Sequence, residues 1–347
     1  MTDLESLVAA ALPEFGVEAR SVELMSHSEN LVFAVEALSG QRYAARLHRP
    51  GYNSVVEMES EVAWVRALAD GGVRVPLAVP RLSPGDFDGL SHYVEIDVGT
   101  VNGTGAADRR QLGLIEWVDG SPLGSVTSAE GGEESAGGGE ESAGGGIVRQ
   151  YRDIGSVIAR VRAASEDWTP PRWFRRRRWD ADAFVADAPL WGRFWEAGQL
   201  STEQRQLFVA ARDRLGTELA ALSTGPERFG LIHADLHLAN VMSDGRELTV
   251  IDFDDAGYGW FVHEIAVSLH PMLDDPRYDD ALAAIVEGYR DVVPLGDADV
   301  ALIDLFMTVR CLMIVGWLDA RPEVPIYEFF PELAAQSEAQ ARRYLGR

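Results

Sequence analysis

The sequence predicts an α+β fold with two lobes, a small antiparallel β-sheet with one main helix followed by a mostly helical lobe. Three observations predict it. The chain has 347 residues, which is more than one small hydrophobic core usually needs. Short β-rich runs fill the first third, whereas apolar residues recur at helical spacing through the remainder. We place the boundary between 118 and 119, since Asp119 and Gly120 break the β pattern there. The predicted lobes are residues 1–118 and 119–347.

The N-terminal lobe is predicted to start as a β-meander and to continue with a helix. Ser39 and Gly40 supply a turn between the second and third β-rich runs. The helix begins at Ser54, whose hydroxyl caps it while Glu57 completes a capping box. More strands then lead up to the lobe boundary. The segments that predict strands are VELMS, NLVFAVEAL, RYAARLH, SHYVEIDVGT and RQLGLIEWV.

A low-complexity segment follows, in which EESAGGG occurs twice in tandem, over 133–139 and 140–146. Gly, Ser and Glu bury too little apolar surface to offset the entropy of ordering. We therefore predict that residues 131–146 are a disordered insertion with no chemistry of their own. Beyond it, apolar side chains at helical spacing over 148–161 and 207–222 predict the helical lobe.

Composition limits the function. The net charge of -24 argues against nucleic acid or an acidic membrane surface as a partner and favours neutral or cationic ligands. The single cysteine, Cys311, lies in an apolar run, and no basic segment precedes the first apolar residues, so we expect a cytoplasmic protein. The longest apolar run, 300–318, is interrupted by Asp304 and Arg310 and is predicted to be a buried helix. All 31 basic residues are arginine, so any role usually filled by lysine falls to arginine.

One short stretch, LIHADLHLANVM, carries the strongest functional signal. It places His233, Asp235, His237 and Asn240 between two apolar runs. A buried polar group without a partner costs about 1–3 kcal/mol, so a packed core would not use these residues together. The stretch is therefore either a solvated turn or a site.

The residues after this stretch favour a site. An Asp-Gly pair at 244–245 between two short β-rich runs predicts a hairpin, which folds Asp252 back toward Asn240. An amide oxygen and a carboxylate then converge beside Asp235. Such oxygens suit Mg²⁺, and a neighbouring carboxylate can orient a hydroxyl and accept its proton.

Two kinds of site fit these residues. In the first, Asp235 is the base of a phosphoryl transfer while Asn240 and Asp252 hold Mg²⁺. In the second, His233, Asp235 and His237 bind a transition metal in a hydrolase. The hydrolase leaves Asn240 and Asp252 without a role, so phosphoryl transfer is the better interpretation.

The motifs HADLHLAN and IDFDDAG resemble the aminoglycoside phosphotransferase and homoserine-kinase-like branch of the protein-kinase-like superfamily, and the resemblance covers nearly the whole chain. It implies a two-lobed protein-kinase-like fold. It also implies transfer of the γ-phosphoryl group of ATP, with Mg²⁺, to the hydroxyl of a small molecule. Asp235 would orient that hydroxyl, and Asn240 and Asp252 would bind the metal. A pseudokinase that binds nucleotide without turnover is the alternative.

In the N-terminal lobe, the resemblance implies a set of nucleotide contacts. Arg46 in YAARLH would contact the phosphates, with Glu61 on the following helix as its partner. The segment SHSEN would cover the phosphates, but it has no glycine, so contacts fall to backbone N–H groups, Ser28 or Asn30.

The segment LIEWVDG resembles the stretch between the lobes of this family. It would meet the adenine edge through backbone groups of Glu116 and Val118. No side-chain chemistry is required there.

The loop departs from the family pattern at three positions. Ala234 and Leu238 replace a glycine and a proline, and Glu264 replaces an aspartate that ordinarily braces the loop. These changes concern loop rigidity and leave the catalytic and metal residues intact. His233 and His237 are predicted to support the loop by hydrogen bonds.

The sequence gives less information about the acceptor substrate than about the reaction. Asp254 and Asp255 are candidate substrate residues, and further acids occur over 274–280. This density favours a cationic acceptor such as an amino sugar, an aminoglycoside or an amino alcohol, unless these acids only solvate loops. The run of arginines over 175–178 is predicted to be a solvated or salt-bridged segment and not a nucleic-acid patch.

Overall fold

The computed structural model describes residues 4–27, 30–100, 107–124 and 140–346. Two compact units make up the chain. Unit 1 is Met1–Gly120 with Thr169–Arg176, and unit 2 is Ser121–Trp168 with Arg177–Arg347.

The segment Thr169–Arg176 differs from the predicted division, which put it in the second lobe. It belongs to unit 1 because it bonds to that unit's main helix. The backbone N–H of Arg175 donates to Ser60 Oγ at 2.8 Å. The other boundary, after Gly120, lies two residues beyond the predicted one.

Unit 1 is built on a five-stranded antiparallel sheet with the strand order β1-β2-β3-β5-β4. Alternate residues of β2 are buried, which is the pattern of a strand with one face on the core. Helix α1 and the 3₁₀ turn after it pack on this apolar face. The strands are β1 (Ala19–His27), β2 (Leu31–Ala37), β3 (Arg42–Leu47), β4 (Tyr93–Thr100) and β5 (Ala107–Glu116), and the helices are α1 (Leu4–Ala11) and α2 (Val55–Asp70).

Helix α2 begins as the sequence predicts. Ser54 Oγ accepts from the N–H of Glu57 at 3.3 Å, and Glu57 Oε2 accepts from the N–H of Ser54 at 2.9 Å. The capping box fixes where the helix starts, and therefore which of its side chains face inward. Glu61, one turn after Glu57, is buried.

Unit 2 is mostly helical and contains two small three-stranded sheets, ordered β10-β9-β6 and β7-β11-β8. The strands are β6 (Ser121–Pro122), β7 (Arg177–Trp179), β8 (Phe229–Ile232), β9 (Val241–Ser243), β10 (Leu248–Val250) and β11 (Gly257–Trp260). The helices are α3 (Glu140–Glu166), α4 (Ala181–Val185), α5 (Thr202–Ala220), α6 (Phe261–Leu269), α7 (Tyr278–Arg290), α8 (Asp297–Val300), α9 (Ile303–Asp319) and α10 (Phe330–Leu345).

The predicted insertion 131–146 is corrected in its second half. Residues 140–146 form the first turns of α3, while 131–139 lie outside the described residues. The packed remainder of α3 supplies the helical nucleus that the glycines lack.

The apolar span Asp297–Asp319 has the length and composition of a membrane-crossing helix, but 67% of its most apolar stretch is buried inside the protein. It also carries Asp304 and Arg310. Burial of this kind identifies a core helix of unit 2, as the sequence predicts.

Helices α3 and α7 pack with their backbones in contact. A Cβ on Gly155 would lie 2.1 Å from Ile285 O, and one on Gly288 would lie 1.9 Å from Arg152 O. Ser156 Oγ also donates to Gly288 O at 2.9 Å. Only glycine permits this approach, so the two positions set the distance between the helices.

Replacing Gly288 by Ala should lower the free energy of unfolding by about 1–3 kcal/mol, because the methyl group forces the two backbones apart. Urea unfolding measures the change. The matched control is Gly216→Ala on α5, where a Cβ would make an ordinary 3.6 Å contact with Val185 and helix propensity favours alanine. Equal stability of the two variants would contradict the packing argument.

Candidate active site

The loop from His233 to Asn240, here called the polar loop, connects β8 to β9 and is held by one buried carboxylate from α6. Glu264 accepts backbone N–H bonds from His233 at 2.6 Å, from Ala234 at 3.0 Å and from Leu236 at 3.2 Å. One turn later on the same face, the Ser268 hydroxyl donates to the carbonyl of Leu236. Helix α6 therefore fixes the first half of the polar loop.

These bonds compensate for an unfavourable backbone. Ala234 has φ 67°, the left-handed region that costs a non-glycine residue about 1–2 kcal/mol. Glu264 accepts the N–H groups of His233, Ala234 and Leu236, and the intervening N–H of Asp235 donates to His233 Nδ1, so the loop keeps this conformation without the glycine usual at that position. Burial raises the pKa of Glu264, while His233 and the three N–H donors act to lower it.

His233 is a fully buried structural residue. Its Nε2 donates to the carbonyl of Ile251 at 2.9 Å, and its Nδ1 accepts the N–H of Asp235 at 3.3 Å. These two partners assign the neutral tautomer and occupy both ring nitrogens. His233 therefore lacks a free nitrogen for a metal, which removes a ligand from the hydrolase interpretation.

Asp235 lies in a cluster of polar side chains. Its Oδ1 accepts from Arg310 Nη2 at 2.7 Å, and its Oδ2 lies 3.3 Å from Asn240 Nδ2 and 3.4 Å from His237 Nε2. Burial acts to raise the pKa of Asp235, but the charges of His237 and Arg310 outweigh it and hold the pKa well below its usual range. The carboxylate is therefore ionised, and its side chain is 25% exposed.

The hairpin of β9 and β10 brings Asp252 next to Asn240, as the sequence predicts. Val250 pairs with Val241, and the N–H of Ile251 donates to the carbonyl of Asn240 at 3.0 Å. Asp252 is the next residue, with φ 65° and an exposed side chain. Strained backbone of this kind is concentrated at functional sites.

The donor set at this point fits Mg²⁺. The Asn240 amide nitrogen donates to the Asp235 carbonyl at 2.9 Å, which assigns Nδ2 to that side and leaves Oδ1 as the atom for a cation. With the Asp252 carboxylate, this gives the two oxygen donors that a protein commonly supplies to Mg²⁺ beside water and phosphate.

The two aspartates predicted as substrate residues are both largely buried, and Asp255 forms an ion pair. Asp255 pairs with Arg177 at 3.4 Å, and its carbonyl accepts from Trp179 Nε1 at 2.8 Å, which joins β7 to the loop before β11. Asp254 is 7% exposed. The Asp255 carboxylate thus pairs with a buried arginine, and its assignment to the acceptor stays a prediction.

In unit 1, Arg46 on β3 lies 3.9 Å from Glu61 on α2, which are the two residues that the sequence pairs. A second arginine was missed. Arg176 lies 3.5 Å from the other oxygen of Glu61 and donates to the carbonyl of Glu57 at 3.0 Å. Its signal was the arginine run itself, in which Arg176, Arg177 and Arg178 form ion pairs.

The remaining nucleotide residues predicted in unit 1 fall into three groups. Ser28 lies outside the described residues. Asn30 is buried and its Oδ1 accepts the N–H of Arg49 at 3.0 Å, so that oxygen already serves the fold. The N–H of Glu116 donates to Leu77 O at 2.9 Å, so that donor already serves the fold, and Val118 follows the end of β5.

A family model places this chain among known proteins. The model of the phosphotransferase enzyme family matches residues 22–295, which is more than half of the chain. The chain belongs to the phosphotransferase enzyme family. The predicted activity class, transfer of a phosphoryl group to an alcohol group of a small molecule, is confirmed.

Named relatives of this phosphotransferase are small-molecule kinases. It is 32% identical to a microcompartment-associated aminopropanol kinase, with a TM-score of 0.79, over 98% of this chain and 97% of that one. It is 25% identical over 325 residues to amicoumacin kinase of Bacillus subtilis (strain 168), covering 90% of this chain and 84% of that protein. An amicoumacin kinase in complex with AMP-PNP and Ca²⁺ shares the fold, with 20% identity and a TM-score of 0.67 over 92% and 88% of the chains. The predicted protein-kinase-like fold is confirmed.

A second histidine of the phosphotransferase is buried behind the polar loop. His263 on α6 packs against the rings of Phe184 and Phe306 and is 1% exposed. Burial lowers its pKa to about 3; the charge of Arg310 acts in the same direction and that of Asp235 against it. The folded protein therefore holds this side chain neutral.

We expect acid to destabilise the phosphotransferase through His263. Between pH 6.5 and about pH 3 the unfolded chain binds a proton here that the folded chain does not, so stability is complete above pH 6.5 and falls as the pH is lowered. The slope is at most about 1.4 kcal/mol per pH unit for one group. His263→Phe should reduce the slope by that amount in unfolding free energies measured from pH 5 to pH 8. The difference between the proteins at pH 8 serves as the control, and parallel curves throughout would contradict the expectation.

Proposed function

We propose that the protein transfers the γ-phosphoryl group of ATP, as its Mg²⁺ complex, to the hydroxyl of a small amino alcohol. The observation that carries the proposal is the polar loop, where an ionised carboxylate lies beside an amide and a second carboxylate. Family membership supports the reaction, and the 32% identity to an aminopropanol kinase over nearly the whole of both chains supports the acceptor class.

Asp235 is proposed to orient the acceptor hydroxyl and to accept its proton. Because Arg310 occupies Oδ1, the oxygen that meets the acceptor is Oδ2, whose contacts are longer. Asn240 and Asp252 are proposed to hold Mg²⁺, which when bound neutralises charge on the phosphates.

Arg46 is proposed to bind phosphate in unit 1. Two guanidinium groups contact the one carboxylate of Glu61, which places two positive charges close together. Arg46 is nine-tenths buried, and its planar fork of donors fits phosphate oxygens. Arginine thus serves where the chain has no lysine.

The acceptor is proposed to be cationic because the protein has a negative net charge and is similar to an aminopropanol kinase. A net charge of -24 favours the approach of cations. Local acid density gives less support than the sequence suggests, because Asp275 is bonded to Arg277 at 2.7 Å and Asp255 to Arg177.

Substitutions at Asp235 and Asp252 should impair different kinetic properties of the protein. Asp235→Asn should lower kcat by about 100-fold or more with little change in ATP affinity, because the lost group acts mainly in the transition state. Asp252→Asn should instead raise the Mg²⁺ concentration needed for half-maximal rate. Steady-state ADP release with ATP and Mg²⁺ varied separately measures both effects.

A matched control for these variants is Asp244→Asn, in the turn between β9 and β10. Asp244 accepts bonds from the N–H groups of Arg246 and Glu247 and is remote from the proposed chemistry. It should keep near-normal kinetics. Near-normal turnover of Asp235→Asn would disprove the assigned base, and an unchanged Mg²⁺ requirement of Asp252→Asn would disprove the metal site.

The acceptor class is tested by pairs of acceptors that differ in charge. With Mg²⁺ and ATP, 1-amino-2-propanol should give a kcat/KM at least about tenfold above that of propane-1,2-diol, since one favourable ionic contact of about 1.4 kcal/mol is a factor of ten. Ethanolamine, homoserine, an aminoglycoside and the anion glycerate complete the panel. A preference for glycerate would overturn the cationic acceptor, whereas ATP binding without turnover of any compound would favour a pseudokinase.

A further inference from the structure

Arg310 is a buried charge in an otherwise apolar helix. It lies in the middle of α9, its neighbours in sequence are buried, and it is itself 9% exposed. Removing a guanidinium group from water is costly unless its donors are paired. A side chain in this position therefore needs a compensating interaction.

The contacts of Arg310 point to one partner. Its Nη2 donates to Asp235 Oδ1 at 2.7 Å, and its guanidinium carbon lies 5.2 Å from the centre of the Trp191 ring. Its Nε is buried and has no hydrogen-bond partner among the described residues.

Arg212 shows what a structural arginine of unit 2 looks like. It also lies over a tryptophan, 4.0 Å from the centre of the Trp195 ring. It donates from Nε to Val185 O at 2.7 Å and from Nη2 to Asp187 Oδ1 at 2.8 Å. Arg310 has the same kinds of partner, a tryptophan ring and a carboxylate, but its side-chain hydrogen bond goes to Asp235 of the polar loop.

The two oxygens of Asp235 are held unequally. Oδ1 has the short charge-assisted bond from Arg310, whereas Oδ2 has two longer contacts, at 3.3 Å to Asn240 and at 3.4 Å to His237. A short bond on one oxygen fixes the rotation of the carboxylate. The weaker contacts on the other oxygen can be exchanged for an acceptor hydroxyl.

We propose that Arg310 is a positioning residue for phosphoryl transfer, which holds the Asp235 carboxylate so that Oδ2 is directed to the acceptor hydroxyl. This inference rests on the proposed function. It assigns to α9, 75 residues beyond Asp235, a part in catalysis that no motif of the polar loop carries.

The test compares Arg310→Met and Arg310→Lys with the wild type, using 1-amino-2-propanol and MgATP. Arg310→Met keeps the apolar stem but removes the donor, and should lower kcat by about 100-fold, the size of effect that misplacing a reacting group produces. The KM for ATP should stay within about twofold, as expected when an interaction made only in the transition state is lost. Arg310→Lys should recover part of kcat. Arg212→Met is the matched control and should lower the melting temperature while leaving kcat near normal.

A double variant separates positioning from general loss of structure. If Arg310 acts through Asp235, adding Arg310→Met to Asp235→Asn should cost little further kcat, because the group being positioned is already absent. Multiplicative losses in the double variant would overturn the inference. So would an Arg310→Met protein with the kcat of Arg212→Met.

A crystal structure of Arg310→Met provides a readout that does not depend on turnover. The Asp235 side chain should leave its present rotamer or lose order, whereas an unchanged carboxylate would overturn the inference. Failure of the proposed function looks different, since the wild type itself would then turn over no acceptor.

Discussion

The site depends on the hydrogen bonds that the buried carboxylate of Glu264 accepts. Three backbone N–H groups of the polar loop donate to this carboxylate. Each of these N–H groups would cost about 1–3 kcal/mol if it were buried without a partner. Because these donors surround Ala234, they also hold that residue in its left-handed conformation. The loop can then turn sharply enough to present Asp235 and to place Asn240 at the start of β9. Without this anchor the chain would have the right residues but no fixed geometry for them.

Around that anchor the site is organised by hydrogen bonds that leave selected atoms available. His233 uses both ring nitrogens within the fold. The amide nitrogen of Asn240 is bonded to Asp235, so its oxygen is directed elsewhere. Arg310 takes one oxygen of Asp235 and leaves the other with weaker contacts. Each of these hydrogen bonds thus determines which side-chain atom is left to bind substrate or metal.

A chain without lysine meets its need for buried positive charge with arginine, and this has structural consequences. A guanidinium group spreads its donors over a plane, so one carboxylate can be shared by two arginines, as Glu61 is by Arg46 and Arg176. Arg176 reaches Glu61 from a segment that follows α3 of unit 2 in sequence yet belongs to unit 1. The charge around Glu61 is therefore set partly by a residue outside the N-terminal sheet.

The sequence by itself determined the features that depend on neighbouring residues. The capping box of α2 and the hairpin that carries Asp252 back to Asn240 are decided within a few residues, so local patterns reveal them. The pairing of Arg46 with Glu61 followed from family motifs, as did the phosphotransferase class.

Only the tertiary structure decided the contacts between distant residues. Arg310 meets Asp235 across 75 positions, and Glu264 meets the polar loop across 28 to 31. The sequence presented Arg310 only as an interruption of an apolar run and Asp255 as a candidate substrate residue, without its arginine partner. Their partners are fixed by how α9 packs and by how β7 joins β11, and no periodicity in the chain encodes those distances.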